Sequence, residues 1–115
     1  DLAELQHPSV RMWVASEGEV VAGTVALVDL GDSQEELKSM RTAPALRGHG
    51  IASQLLRHAL DDARARGVHE VALETGSMDF FSASRALYTK AGFRECPPFG
   101  SYREDPNSVY MNLQL

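Results

Sequence analysis

The fold of this chain is decided by one stretch, Arg47-Gly48-His49-Gly50-Ile51-Ala52, which joins an alternating segment to an amphipathic one. Residues 35–42 alternate as a half-buried strand does, and residues 50–66 repeat apolar side chains at helical spacing. The first N–H groups of a helix lack intrahelical acceptors, and the helix dipole adds partial positive charge there. No Asp or Glu lies in the first turn, so the stretch predicts an anion site.

Two other kinds of phosphate loop are excluded by the residues around Gly50. A P-loop requires Lys and then Ser or Thr before its helix, whereas Ile51 and Ala52 follow here. A dinucleotide fingerprint places its glycines directly after a strand, whereas residues 43–47 intervene here and antiparallel strands precede them. A tight strand-to-helix turn without a ligand is the structural alternative.

The composition indicates one soluble domain that spans residues 1–115. Hydrophobic residues make up 43% and charged residues 23%, and the formal net charge is −5. The 11 Lys and Arg residues are scattered, which disfavours a nucleic-acid partner. No long apolar run indicates a membrane span, no N-terminal segment has the pattern of a signal peptide, and the single cysteine, Cys96, suits a reducing cytoplasm. The four histidines show no ligand spacing, so no metal is expected.

The pattern of apolar residues and turns predicts an α/β fold with a mixed sheet. Strands are predicted at residues 10–15, 20–30, 35–42, 68–75, 93–96 and 108–115, and helices at residues 50–66 and 80–91. The first three strands form an antiparallel meander, and the strand-helix-strand unit after them implies a parallel pair. Gly23 indicates a bulge or a close backbone contact. Residues 1–8 show no clear period and are predicted as a loop or a frayed helix end.

Two motifs carry a resemblance to a known family. Arg47, Gly50 and Ala52 fit an acyl-coenzyme A signature, and Leu87-Tyr88 followed by Gly92-Phe93 fits a second one about forty residues later. The chain resembles the GCN5-related N-acetyltransferase (GNAT) superfamily, and its last third is similar to a bacterial subgroup of acetyltransferases. The resemblance implies the GNAT fold, with helices on both faces of the sheet. It also implies that the family's N-terminal strand and helices are missing, because the chain begins at Asp1, close to the strand at residues 10–15.

The resemblance implies acetyl-CoA as the cosubstrate. Backbone N–H groups of residues 47–52 would hold its pyrophosphate, and Met40 and Leu46 would contact pantetheine. A backbone N–H of residues 40–42 would stabilise the oxyanion of the tetrahedral intermediate. The predicted cofactor-binding residues are Met40, Arg41, Thr42, Leu46, Arg47, Gly48, His49, Gly50, Ile51, Ala52 and Ser53.

The same resemblance names two catalytic candidates. Tyr88 would donate a hydrogen bond to the departing thiolate, although without the resemblance a packing role would be preferred. Glu36 matches the family's general base, with a solvent-facing strand residue as the alternative. Glu74, or a water molecule, is the reserve base, and Glu74 is also a substrate-binding candidate. Phe99 and Tyr102 either line the acceptor pocket or pin the loop that contains them.

The function implied is a cytoplasmic N-acetyltransferase that moves an acetyl group from acetyl-CoA directly to a primary amine. The acceptor would be a small molecule or a peptide, with no nucleic-acid or membrane partner. The alternatives are a non-catalytic acyl-CoA sensor or interaction domain, and an assembly module without a ligand. Exposed edges on the last strands could support a homodimer.

Overall fold

The computed structural model describes the backbone of residues 2–7 and all of residues 9–115. Two helices, α1 (Ile51–Ala65) and α2 (Ser82–Ala91), lie among seven strands. The strands are β1 (Leu2–His7), β2 (Val10–Glu17), β3 (Val20–Gly31), β4 (Gln34–Thr42), β5 (Glu70–Gly76), β6 (Arg94–Glu95) and β7 (Ser108–Gln114). Short 3₁₀ turns at Pro44–Leu46 and Asp79–Phe81 precede the two helices.

All seven strands belong to one mixed sheet with the order β1-β2-β3-β4-β5-β7-β6. The first four strands pair antiparallel in sequence, β4 pairs parallel with β5, and β7 pairs antiparallel with both β5 and β6. The predicted meander and the parallel unit crossed by α1 are therefore confirmed. None of the helices among the described residues combines the length and apolar character needed to span a bilayer.

The prediction for residues 1–8 is wrong. Leu2–His7 form strand β1, which pairs antiparallel with β2 from Leu2 opposite Ala15 to His7 opposite Val10. The described residues therefore contain a strand directly before the Val10 hairpin. Asp1 and Pro8 lie outside the described residues. The strand forms because β2 supplies a pairing edge, and such tertiary pairing outweighs weak local propensity.

Both helices pack on the same face of the sheet, so the prediction of helices on both faces is wrong for α1 and α2. Glu35 of β4 reaches Arg66 at the end of α1, and its neighbour in register, Val71, shares that face. Tyr88 of α2 belongs to the same core cluster as Val71. The neighbouring strands carry their largest apolar side chains on this face, so both helices bury their apolar stripes there. We call it the helix face.

Helix α1 buries the predicted apolar stripe and is followed by a glycine in the left-handed conformation. Its buried residues are Ile51, Leu55, Leu56, Ala59, Leu60 and Ala63. Gly67 follows with a φ of 83°, as a helix-terminating residue does. At the end of α1 the Arg66 side chain is only 23% exposed, because it binds both Glu35 and Asp62.

Candidate active site

A cleft opens where β4 and β5 stop pairing. Their parallel register covers Gln34 to Glu36 against Glu70 to Ala72, and no pair follows although both strands continue. The backbone of residues 37–42 therefore has no partner strand on the β5 side, and its polar groups are available to a ligand. An irregularity in the β3–β4 pairing accompanies the cleft: Ser39 has a φ of 56°, and its carbonyl accepts a 2.7 Å hydrogen bond from the Thr24 hydroxyl.

The glycine loop at the start of α1 has the geometry of an anion site. Gly48 and Gly50 have φ values of 84° and 79°, and no protein atom lies within 4 Å of the position a Cβ would take at either residue. No side chain caps α1 at this end, and its first turn contains no acidic residue. Residues 47–50 are exposed. Uncapped N–H groups therefore face open space at the positive end of the helix dipole.

Gly23 lets this end of α1 approach the sheet. A Cβ at Gly23 would lie 2.7 Å from the Arg41 carbonyl oxygen and 3.0 Å from side-chain atoms of both Ile51 and Leu55. The predicted close backbone contact at Gly23 is confirmed. The missing side chain sets the distance between α1 and β3, the strand next to the one that borders the cleft.

A groove of about 370 Å³ continues from the glycine loop between α1 and α2. Its lining combines cationic and apolar side chains, and only Gly50 and Ser53 of it were predicted from the sequence. It is formed by Gly50, Ser53, Gln54, Leu56, Arg57, Leu60, Arg64, Leu87, Lys90 and Ala91. The cations lie on exposed helix positions, where sequence alone does not separate a solvated face from a ligand wall.

The other predicted cofactor residues lie along this route from cleft to loop. Met40, Thr42 and Leu46 are half-buried, and Met40 and Leu46 pack against the core. Arg41, Arg47, His49 and Ser53 are exposed, and Ile51 is buried beneath the loop. The described residues contain no group of three His, Cys, Asp or Glu side chains placed to hold a metal ion.

Tyr88 lies on the helix face and is 6% exposed. Its ring meets the ring of Phe93 edge to face, with the centroids 5.8 Å apart. Burial raises the pKa of the phenol to about 12. The hydroxyl is therefore protonated at every working pH, which suits a hydrogen-bond donor and excludes a base.

Glu36 lies on the opposite face of the sheet and is also only 6% exposed, so the solvent-facing alternative is wrong. Its Oε2 accepts a 2.6 Å hydrogen bond from the Tyr102 hydroxyl. Its sequence neighbour Glu35 is similarly buried but is neutralised by Arg66 through contacts of 2.6 and 2.8 Å. No Lys, Arg or His among residues 9–115 forms an ion pair with Glu36. A buried carboxylate without a counter-charge is costly, and the hydrogen bond from Tyr102 offsets part of that cost.

The predicted substrate residues gather around Glu36. Glu74 shares its face, is exposed, and accepts a 2.7 Å hydrogen bond from the Ser108 hydroxyl. The rings of Phe99 and Tyr102 lie 5.1 Å apart, and both meet the ring of Tyr110. Tyr110 was not among the predicted site residues, although alternation in the last strand places it on the face opposite that of Met111.

The segment after β5 is held by contacts that the motifs do not reveal. The ring of Phe81 packs directly on Gly76, and a Cβ at Gly76 would overlap it. Arg85 donates hydrogen bonds of 2.6 and 2.9 Å to the carbonyls of Gly76 and Met78. Cys96 is half-buried, and burial together with the nearby Glu70 carboxylate raises the pKa of its thiol, which disfavours a nucleophilic role.

Glu36 and Tyr88 thus lie on opposite faces of the sheet, and the cleft connects the two faces. Glu36 and Ala72 form the last pair before β4 and β5 separate, so Glu36 lies at the apex of the cleft. A group held in the cleft can be approached by an acceptor from one face and can release its leaving group toward the other. Such a layout suits direct transfer between two substrates.

Comparison with known proteins gives one consistent result. Residues 1–93 match the acetyltransferase (GNAT) family. The chain is 47% identical over 115 residues to the uncharacterized N-acetyltransferase YedL of Escherichia coli (strain K12), covering all of this chain and 72% of that protein. It is 39% identical over 117 residues to an IAA acetyltransferase of Azospirillum brasilense, covering all of this chain and 74% of that protein.

A solved structure from Klebsiella pneumoniae, assigned to the acyl-CoA N-acyltransferases, superposes with a TM-score of 0.87 at 30% identity. The match covers 96% of this chain and 76% of that one. The family match includes the glycine loop, Tyr88 and Glu36. This chain belongs to the acetyltransferase (GNAT) family, whose members transfer acetyl groups from acetyl-CoA.

Proposed function

We propose that the chain transfers the acetyl group of acetyl-CoA directly to a primary amine of a small molecule or peptide in the cytoplasm. One observation carries the proposal: the cleft between β4 and β5 has on one face a buried carboxylate, Glu36, with no ion-pair partner among residues 9–115, and on the other a buried, protonated phenol, Tyr88. A base on the acceptor side and a donor on the thiolate side are what aminolysis of a thioester requires.

The glycine loop and the adjoining groove would bind the nucleotide part of acetyl-CoA. Uncapped N–H groups near Gly48 and Gly50 suit the pyrophosphate, and the cations of the groove suit further phosphate oxygens. The unpaired backbone of residues 37–42 would hydrogen-bond the pantetheine arm, and one of its N–H groups would stabilise the developing oxyanion. The thioester supplies the activated acetyl group.

Glu36 would accept the proton that the acceptor must lose. An alkylammonium has a pKa near 10.4 and cannot attack while it is protonated. Tyr88 would hydrogen-bond the departing thiolate without giving up its proton. The ordinary pKa of a thiol is about 8.5, and full transfer from a phenol at about 12 would cost about 5 kcal/mol. Stabilisation by a hydrogen bond is therefore the role that its environment supports.

Calorimetry with acetyl-CoA tests the cofactor site through a matched pair of glycines. Gly50 and Gly67 lie at opposite ends of α1, have φ values of 79° and 83°, and have open space where a Cβ would lie. Replacing either by Ala therefore carries a similar backbone penalty of about 1 kcal/mol. Gly50→Ala should weaken acetyl-CoA binding, and Gly67→Ala should leave it unchanged. Equal affinities of the two variants, or no binding by the wild type, would contradict the proposal.

A non-catalytic acyl-CoA sensor is the second candidate, because a binding loop does not by itself require an acceptor. The buried Glu36 argues against it, since a sensor has no use for a carboxylate at the apex of the cleft. Acetyl-CoA binding without acetyl transfer to any amine would favour the sensor.

A further inference from the structure

Tyr102 has a hydroxyl and a ring that are both already engaged by the protein. The hydroxyl donates to Glu36 Oε2 at 2.6 Å, across 66 positions of sequence. The ring is 5.1 Å from the ring of Phe99 and 5.5 Å from that of Tyr110. These contacts tie Tyr102 to Glu36 and to its own loop, which is a role distinct from contact with the acceptor.

The loop that carries Tyr102 is built to hold that position. The Tyr102 N–H donates to the Phe99 carbonyl at 3.0 Å across a tight turn, in which Gly100 has a φ of 57°. Tyr110 lies beneath this turn, is 6% exposed, and donates its hydroxyl to the Arg103 carbonyl at 2.6 Å. Tyr110 of β7 therefore fixes the segment on both sides of Tyr102: its ring contacts Phe99 and its hydroxyl binds the Arg103 carbonyl.

The hydrogen-bond partner of Tyr102 is Glu36, a flexible side chain that must point toward the acceptor if it is to act as a base. A Glu side chain has several rotatable bonds, and Arg66, which fixes Glu35, lies on the other face of the sheet. Tyr102 is the hydrogen-bond donor that the described side chains supply to Glu36. The bond occupies Oε2 and leaves Oε1 for the amine or for a water molecule. A phenol can act as a constant donor here because burial, and then the bond to Glu36, raise its pKa.

We propose that Tyr102 is the positioning residue for Glu36: its phenol orients the carboxylate toward the acceptor, and Tyr110 holds the phenol in place. The inference rests on the proposed function, because it gives Glu36 the role of base. A tether that only stabilised the loop would affect folding and would not depend on what Glu36 does.

Non-additivity of two substitutions tests the proposal. Tyr102→Phe should lower kcat/KM for the acceptor about tenfold, the order expected for one hydrogen bond to a charged group, with KM for acetyl-CoA unchanged. In a Glu36→Gln background, Tyr102→Phe should cause no further loss. Tyr110→Phe should cause a smaller fall than Tyr102→Phe. The positioning role would be overturned if the losses of kcat/KM in the two single variants multiplied in the double variant. It would also be overturned if Tyr102→Phe raised KM for acetyl-CoA by the factor by which it lowered kcat/KM for the acceptor.

Ser77→Ala provides a matched control, because the Ser77 hydroxyl ties the same loop to the Pro106 carbonyl at 2.7 Å without touching Glu36. It should leave kcat/KM unchanged within error, and a loss as large as that of Tyr102→Phe would refute the proposal. A readout independent of turnover is the titration of the Tyr102 phenol by NMR. Glu36→Gln should lower the pKa of this phenol, and an unchanged pKa would refute the contact.

The two proposals fail in different ways. If the wild-type protein transfers an acetyl group to no amine, both the proposed function and the positioning role are refuted. If the wild type is active and Tyr102→Phe is equally active, only the positioning role is refuted.

Discussion

Removing Arg66 should destabilise the fold more than removing any exposed cation. Arg66 binds Glu35 bidentately and also donates to Asp62 at 2.7 Å, so it connects the end of α1 to the strand that carries Glu36. Removing one partner of a fully buried ion pair leaves the other charge unpaired and lowers the free energy of unfolding by about 3–5 kcal/mol. Here the Arg66 and Glu35 side chains are 23% and 11% exposed, so water recovers part of that cost. We expect Arg66→Met, which keeps the apolar stem, to lose about 2–3 kcal/mol.

Urea denaturation followed by far-UV circular dichroism measures this loss, with an accompanying fall in Tm of about 8–12 °C. Arg64→Met is the matched control: its pair with Asp61 is 50% and 67% exposed, and such pairs contribute about 0–1 kcal/mol. The double variant Glu35→Gln/Arg66→Met should be less unstable than the sum of its single variants. Equal stability of the two Arg variants, or strict additivity with Glu35→Gln, would refute the ion-pair reasoning.

Three further predictions follow from single contacts. Gly23→Ala should cost about 1–3 kcal/mol in denaturant unfolding, because the new Cβ would lie 2.7 Å from the Arg41 carbonyl oxygen; wild-type stability would contradict the packing argument. Tyr88→Phe should lower kcat about a hundredfold while calorimetry finds acetyl-CoA affinity unchanged, and an unaltered rate would restore the packing role. We also expect the Tyr88 phenol to make the free energy of unfolding depend on pH, because its pKa is about 12 in the folded protein and about 10 in the unfolded chain. Below pH 10 the wild type should keep its full stability, and by pH 12 it should lose about 2–3 kcal/mol of unfolding free energy relative to Tyr88→Phe. Parallel plots of unfolding free energy against pH for the two proteins would exclude this effect.

The elements that the sequence predicted best are those with strong local signals. Gly48 and Gly50 between an alternating and an amphipathic segment, and Gly67 and Gly92 after the helices, define boundaries through backbone conformation alone. The core stripe of α1 follows from spacing in the same way. The proposed cofactor surface could be named from the sequence for the same reason, because most of its residues lie within one strand-loop-helix unit.

The features that the sequence did not predict depend on contacts between distant residues. Strand β1 forms by pairing with β2, not through alternation of its own. Arg66 meets Glu35 across 31 positions and Tyr102 meets Glu36 across 66, so neither partner is visible in a local window. The placement of α2 on the same face as α1 follows from the apolar side chains of β5 and β7 together, which no single segment contains.

The most direct test of the account is acceptor-dependent release of free thiol from acetyl-CoA, measured with a panel of primary amines. The account predicts that at least one amine accelerates release and is recovered acetylated, and that Glu36→Gln and Tyr88→Phe each suppress this release without abolishing acetyl-CoA binding. Tight acetyl-CoA binding with no amine-dependent release anywhere in the panel would contradict the account and would favour the sensor.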